Sequence, residues 1–281
     1  MNHAYKSHVN HADMDQVHPV EGENGARSSF LAPANDDDRR QLAASLVVLI
    51  VYVACEIASG WLGPSAIVWT EAGRGPVAIR LASLPPYLVS IAYSFPSIYL
   101  VAMVIASRPS GDLARSMRPD RPRVLFMISA LGAVGLAGSL ALGVNPFGWE
   151  KAGSSAMVLA RGLLQHGQLP TVAAWFVWSV CLVPIVEETG VRYGLLRFIA
   201  RRTNSVWAGV VGSALLFGIL HLGNAAMLDS EHLVRALSMF AVGLVLGTAT
   251  VLSDGNISAA IALHATYNAV SLASLFSAAA R

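Results

Sequence analysis

Seven runs of roughly 20 mostly apolar residues, each long enough to cross a bilayer as a helix, decide what this chain can fold into. They lie at about 42–62, 86–107, 124–144, 171–197, 205–222, 234–253 and 257–277. Inside lipid every backbone N–H and C=O must find its partner within the segment, so each run predicts an α-helix. The expected fold is all-α, a polytopic membrane helical bundle of about seven to eight transmembrane helices. The stretch SSAMVLARGLLQHG, residues 154–167, is either the short eighth span or an interfacial helix. Composition agrees: 13% of residues are charged and 54% hydrophobic, where a soluble domain carries about 25% charged residues. The net charge of +2 gives no electrostatic case for a nucleic-acid partner.

The chain divides into three parts. Residues 1–40 are polar and include the acidic run Asp36, Asp37, Asp38 and four histidines, His3, His8, His11 and His18. They have little to bury and read as a disordered tail with solvated histidines. No basic region followed by an apolar core marks a signal peptide there. Residues 41–150 read as the N-terminal transmembrane helices, and residues 151–281 as the core that carries the chemistry. Arginines cluster at Arg39 and Arg40, from Arg108 to Arg123, and at Arg197, Arg201 and Arg202. These clusters fall on one side if the spans alternate, and the positive-inside rule assigns that side to the cytoplasm. Short loops and abundant Ala, Gly and Arg favour a bacterial cytoplasmic membrane. Cys55 and Cys181 have no CxxC or zinc-type neighbour and read as free thiols.

Polar side chains inside the spans gather in the second half. VEETGVR places Glu187, Glu188 and Arg192 in the fourth run, FGILH places Phe217 and His221 in the fifth, and HATYN places His264 and Asn268 in the seventh. A charge in a membrane helix costs several kcal/mol unless it is paired or lies in a wet cavity. Positions i and i+4 share a helix face, so Glu188 can pair with Arg192. Glu187, about 100° round the helix, is then free to face a different and more apolar setting. A carboxylate so placed suits a general base. The two histidines are candidate acids, bases or ligands, and Asn268 is a candidate oxyanion donor. Each residue also has a plain structural role open to it: a helix clamp for the acids and arginine, interhelical hydrogen bonds for the histidines and asparagine, packing for Phe217. The coincidence of acid, base and amide on three nearby spans favours chemistry. Glu56 in the first run is assigned none.

EExxxR, FxxxH and HxxxN, in this order on successive late spans, resemble the motifs of the CAAX-protease and bacteriocin-processing (CPBP, or Abi) family of intramembrane proteases. The resemblance covers roughly residues 170–277. It implies a helical bundle around a wet cavity, in which Glu187 activates water with help from His221. It further implies that His264 and Asn268 stabilise the oxyanion, and that Glu188 and Arg192 support the site. The partners it implies are the lipid bilayer and a membrane-associated peptide or protein substrate, and for a bacterial enzyme a substrate without a prenylated CAAX tail. The residues allow two versions of this chemistry. A divalent metal such as zinc could sit on Glu187, His221 and His264. Equally, water held between Glu187 and His221, with His264 and Asn268 facing the oxyanion, needs no metal; HExxH is absent, and Asn268, a better oxyanion donor than zinc ligand, leans towards that version. GxSG and GxGD, the marks of other intramembrane proteases, are absent.

Two other functions compete. The same cavity could bind a peptide without cutting it, as an immunity protein or membrane partner would. The Glu, His and Asn set could also form a proton path. The first three runs hold no matching set, which counts against the two related halves common in transporters.

Overall fold

In a computed structural model, residues 31, 35–71, 85–107, 111–118, 155–165, 167, 169–222 and 230–280 are described, with side chains left out at 56–71, 85–94, 107, 155–159, 171 and 230–232. The expected span at 124–144, most of the polar tail and the Glu56 side chain lie outside the described residues. Every regular element described is a helix. They are α1 (Asp36–Glu71), α2 (Pro85–Ser107), α3 (Asp112–Ser116), α4 (Ser155–Gln165), the rod α5 (169–203), α6 (Val206–Leu220), α7 (Ser230–Leu252) and α8 (Ser258–Ala279).

Helix α1 starts inside the segment expected to be tail. Asn35 caps it, its side-chain oxygen accepting from the Asp38 N–H at 2.8 Å. Asp36, Asp37 and Asp38 fill the first turn, where the helix dipole favours negative charge. The segment 154–167 forms α4, whose 11 described residues span about 16 Å, too short for a hydrocarbon core of about 30 Å. Its Ala160 packs instead against Leu272, Leu275 and Ala279 of α8.

Among the described residues three helical stretches are long and apolar enough to cross a membrane, Val172–Thr203, Leu233–Leu252 and Ser258–Ala279, with Val206–Leu220 shorter but apolar. Helix α6 has the surface expected of a lipid neighbour. Trp207, Val211, Leu215 and Ile219, four residues apart, are all exposed, while Val210, Ala214 and Phe217 are buried.

Small residues let these helices approach closely. Gly190 and Gly194 of α5 lie against Leu49 and Ser45 of α1, and Gly243 and Gly247 of α7 lie against Ala214 and Val210 of α6. Both pairs are GxxxG spacings, which favour packing where no hydrophobic drive separates lipid from protein. A Cβ at Gly190 would come within 2.8 Å of the Leu49 Cβ and 3.1 Å of its Cα. Gly190→Ala is therefore expected to cost about 1–2 kcal/mol, overpacking of about 1–3 kcal/mol less some gain in helix propensity. Thermal unfolding of the detergent-solubilised protein measures this, and an unchanged melting temperature would refute the contact.

One end of the bundle is tied by polar contacts. Gln41 Oε1 accepts from the Leu113 N–H at 2.8 Å. Tyr193 Oη reaches Gln41 Oε1 at 3.3 Å and Asp112 Oδ2 at 3.2 Å. Arg197 pairs with Asp112 and donates to the Gly255 carbonyl at 3.0 Å. This network joins the start of α1, α3, the end of α5 and the α7–α8 turn. The described arginines of the three clusters, Arg39, Arg40, Arg115, Arg118, Arg197, Arg201 and Arg202, accordingly lie toward one end of the bundle.

Candidate active site

The site grows out of two irregularities in α5. Ahead of Pro184 the helix widens into a π turn over Trp178–Leu182, and the Val183 N–H bonds to the Trp178 carbonyl, five residues back. In that register the Ser179 carbonyl should meet the N–H of residue 184, which is proline and has none. The Asn268 side chain supplies the missing donor, its Nδ2 bonding the Ser179 carbonyl at 2.7 Å. A second π-helical stretch, Thr189–Leu196, begins just after the two acids. Between them, Val183–Glu188 is ordinary α-helix.

The two adjacent glutamates point to different neighbours. Glu188 is wholly buried and faces Arg192, with Oε2 3.1 Å from the guanidinium Nε. Arg192 is itself fully enclosed. Its guanidinium lies 4.6 Å from the centre of the Phe217 ring and approaches the Gly243 carbonyl at 3.5 Å. The stacking adds cation–π attraction to the ion pair. Glu187 is held by α1 instead: Tyr52 donates its hydroxyl hydrogen to Oε1 at 2.6 Å. The other carboxylate oxygen, Oε2, is buried and has no hydrogen bond.

His264 sits between the acids. Its Nδ1 is 2.8 Å from Glu188 Oε1, and its Nε2 is 3.8 Å from Glu187 Oε2. An ionised Glu188 can only accept, so Nδ1 carries the hydrogen. The 3.8 Å gap is too long for a direct hydrogen bond. His221 stands at the end of α6 rather than within a span, and its Nδ1 is 2.8 Å from the Phe217 carbonyl. That carbonyl needs a donor, which leaves Nε2 of the neutral ring as a lone-pair acceptor. Phe217 packs beside both imidazoles, 4.6 Å from His221 and 5.8 Å from His264 between ring centres.

These residues open onto one cavity of about 180 Å³, lined in part by Glu187, His221, His264 and Asn268, with Val183, Met239 and Leu272 among its apolar walls. All six charged or polar residues singled out from the sequence thus meet around it: four line the cavity, and Glu188 and Arg192 lie directly behind. Sequence reasoning missed Tyr52, Arg235 and Tyr267. Nothing local marks Tyr52, since a tyrosine in an apolar run is unremarkable. Arg235 did carry a signal, a charge just inside the sixth run, and such a charge is a candidate for function by default. Among the described residues, no group of three or more His, Cys, Asp and Glu side chains is placed to hold a metal ion.

Residues 169–270 match the family model described as Rce1-like, type II CAAX prenyl endopeptidase. No curated protein and no solved structure matches the chain. The match covers the π-turned rod and all three motifs. It bears out the resemblance to the CAAX-protease family carried by EExxxR, FxxxH and HxxxN.

Proposed function

We propose that the cavity is the active site of an intramembrane endopeptidase that hydrolyses a membrane-associated peptide or protein with a glutamate-activated water and no metal. The observation that carries this reading is the asymmetry of Glu187: one carboxylate oxygen is fixed by Tyr52, and the other is buried at the cavity without a hydrogen bond. A base needs its reactive oxygen free and its orientation fixed.

In the proposed reaction, water lies between Glu187 Oε2 and His221 Nε2. Glu187 takes one of its protons as the water oxygen forms a bond to the peptide carbonyl carbon. The carbonyl oxygen becomes an oxyanion. Asn268 spends one amide hydrogen on Ser179 and has a second to offer this oxyanion. His264 adds Nε2–H when its ring is protonated. Collapse breaks the C–N bond, and the proton held by Glu187 passes to the departing amine. Glu188 and Arg192 touch no substrate; they hold His264 and the helix that presents Glu187. Among the described residues no three His, Cys, Asp or Glu side chains are grouped to hold a metal ion, which supports the metal-free version.

The test compares protein termini in membranes from cells making the wild type or Glu187→Gln. Termini present only with the wild type are expected, and they name the substrate. Identical termini with both proteins stably expressed would refute proteolysis and leave peptide binding as the function.

A further inference from the structure

We propose that Pro184 is a positioning residue of the site: by withholding a backbone N–H from the Ser179 carbonyl, it makes that carbonyl the anchor that aims the Asn268 amide into the cavity. The inference rests on the cavity being where the reaction takes place, and it gives Pro184 a task beyond bending a helix.

An asparagine in this position needs an anchor. His264, Asn268 and Leu272, spaced i, i+4 and i+8, all line the cavity, so the backbone of α8 brings the Asn268 side chain to the right face. The backbone does not fix the amide. The last torsion of an asparagine is broad and roughly two-fold, so either the oxygen or the NH2 can turn to a given side. The oxygen would repel an oxyanion, and the NH2 stabilises one. The 2.7 Å bond to the Ser179 carbonyl decides between them. A carbonyl accepts, so the group that meets it is the NH2. Ser179 lines the cavity too. A nitrogen held on its carbonyl therefore stands at the cavity wall, with its second hydrogen still to offer.

That anchor exists because residue 184 is proline. Inside an uninterrupted helix each carbonyl is taken by a backbone N–H one turn further on, and a side chain from another helix finds none to spare. Here the Val183 N–H reaches back five residues to the Trp178 carbonyl. The next N–H in that register, on residue 184, would take the Ser179 carbonyl. Proline has no N–H, and its ring keeps the preceding turn from closing on it. Pro184 is buried in the middle of the rod, where proline is the residue least suited to a helix. A rod built only to span the bundle would be more stable with alanine there. The same substitution would remove the vacant carbonyl on which Asn268 is held.

The experiment uses the full chain in nanodiscs as wild type, Pro184→Ala, Asn268→Ala and the double variant. Alanine restores the N–H, which occupies the Ser179 carbonyl along the helix axis and displaces Asn268 from it. Steady-state cleavage of the substrate identified from cellular termini is expected to show Pro184→Ala losing about 10- to 100-fold in kcat with KM nearly unchanged. In the Asn268→Ala background the same substitution is expected to change kcat by less than about threefold, because residues acting through one hydrogen bond are not additive. The melting temperature of Pro184→Ala should hold or rise, since alanine is the better helix former. Wild-type kcat in Pro184→Ala, or equal losses in both backgrounds, overturns the proposal. A second readout needs no cleavage. With asparagine labelled by a heavy nitrogen in its side chain, the amide signal missing from Asn268→Ala is that of Asn268. Its hydrogens are expected to exchange with solvent about tenfold or more faster in Pro184→Ala, as they lose their acceptor. An Asn268 signal and exchange rate that Pro184→Ala leaves unchanged also overturns the proposal. A Pro184-dependent Asn268 signal in a wild type that cuts nothing would remove the proteolytic reading and leave the anchor standing.

Discussion

Replacing Glu187 by Gln is expected to lower kcat/KM for peptide cleavage by about 10²–10⁴-fold, the range for loss of a general base, while the protein remains folded. Gln has nearly the same shape, and its amide oxygen can still accept from Tyr52. What is lost is the ability to take a proton from water. The comparison with Tyr52→Phe separates base from positioner. That variant keeps the carboxylate and removes the 2.6 Å hydrogen bond that fixes it. A hydrogen bond to a charged group is worth about 1.5–3 kcal/mol, so a loss of about 10- to 100-fold is expected, mainly in kcat. The assay is steady-state cleavage of the substrate identified from cellular termini, with circular dichroism and melting curves as controls. Both rates should be unchanged by a zinc chelator. A Glu187→Gln enzyme with near wild-type kcat would place the base elsewhere in the cavity. A Tyr52→Phe enzyme as inactive as Glu187→Gln would mean that Tyr52 acts on the reacting atoms directly.

The contrast between these two residues also shows what a sequence can and cannot convey. Glu187, Glu188 and Arg192 announce themselves because a charge inside an apolar run needs a reason, and helix periodicity says which of them can meet. The ion pair at 3.1 Å is the i, i+4 pair that the periodicity gives. Tyr52 lies 135 positions from Glu187, and no local pattern links an ordinary tyrosine in one span to an acid in another. Asn268 is a mixed case. Its spacing from His264 puts it on the right face, but its bond to Ser179 depends on a π turn that only the fold reveals. Pro184 hinted at a bend; it did not say that a carbonyl would be left for a side chain on another helix to satisfy. Helix ends were the weakest part. The polar look of Asp36 to Arg40 suggested tail, whereas Asn35 and three acidic residues at a helix N-terminus make a favourable start.

Arg192→Met is expected to have the largest effect on stability, about 3–5 kcal/mol, the cost of breaking a buried ion pair by removing one partner. The arginine and Glu188 are both fully enclosed, so no water can take over when the cation goes. Glu188 would keep the Nδ1–H of His264 as its remaining partner, and Met would give up the guanidinium's stacking on Phe217. Arg192→Lys should fall between, since an ammonium keeps the charge but cannot stack as a plane. Unfolding of the purified protein in detergent reads these differences. The decisive comparison is the double variant, Glu188→Gln with Arg192→Met. If the charge left without its partner causes the damage, the double variant will be more stable than Arg192→Met alone, because a neutral amide is cheaper to bury. If the guanidinium matters for its volume and its contacts with Phe217 and Gly243, the second substitution will recover nothing. The two outcomes assign different purposes to the pair. Recovery makes Arg192 a counter-ion that lets two acids stand side by side in the membrane, one as a fixed support and one as a base. No recovery makes it a structural pin between α5, α6 and α7, which holds the histidines of the site at their distance from Glu187.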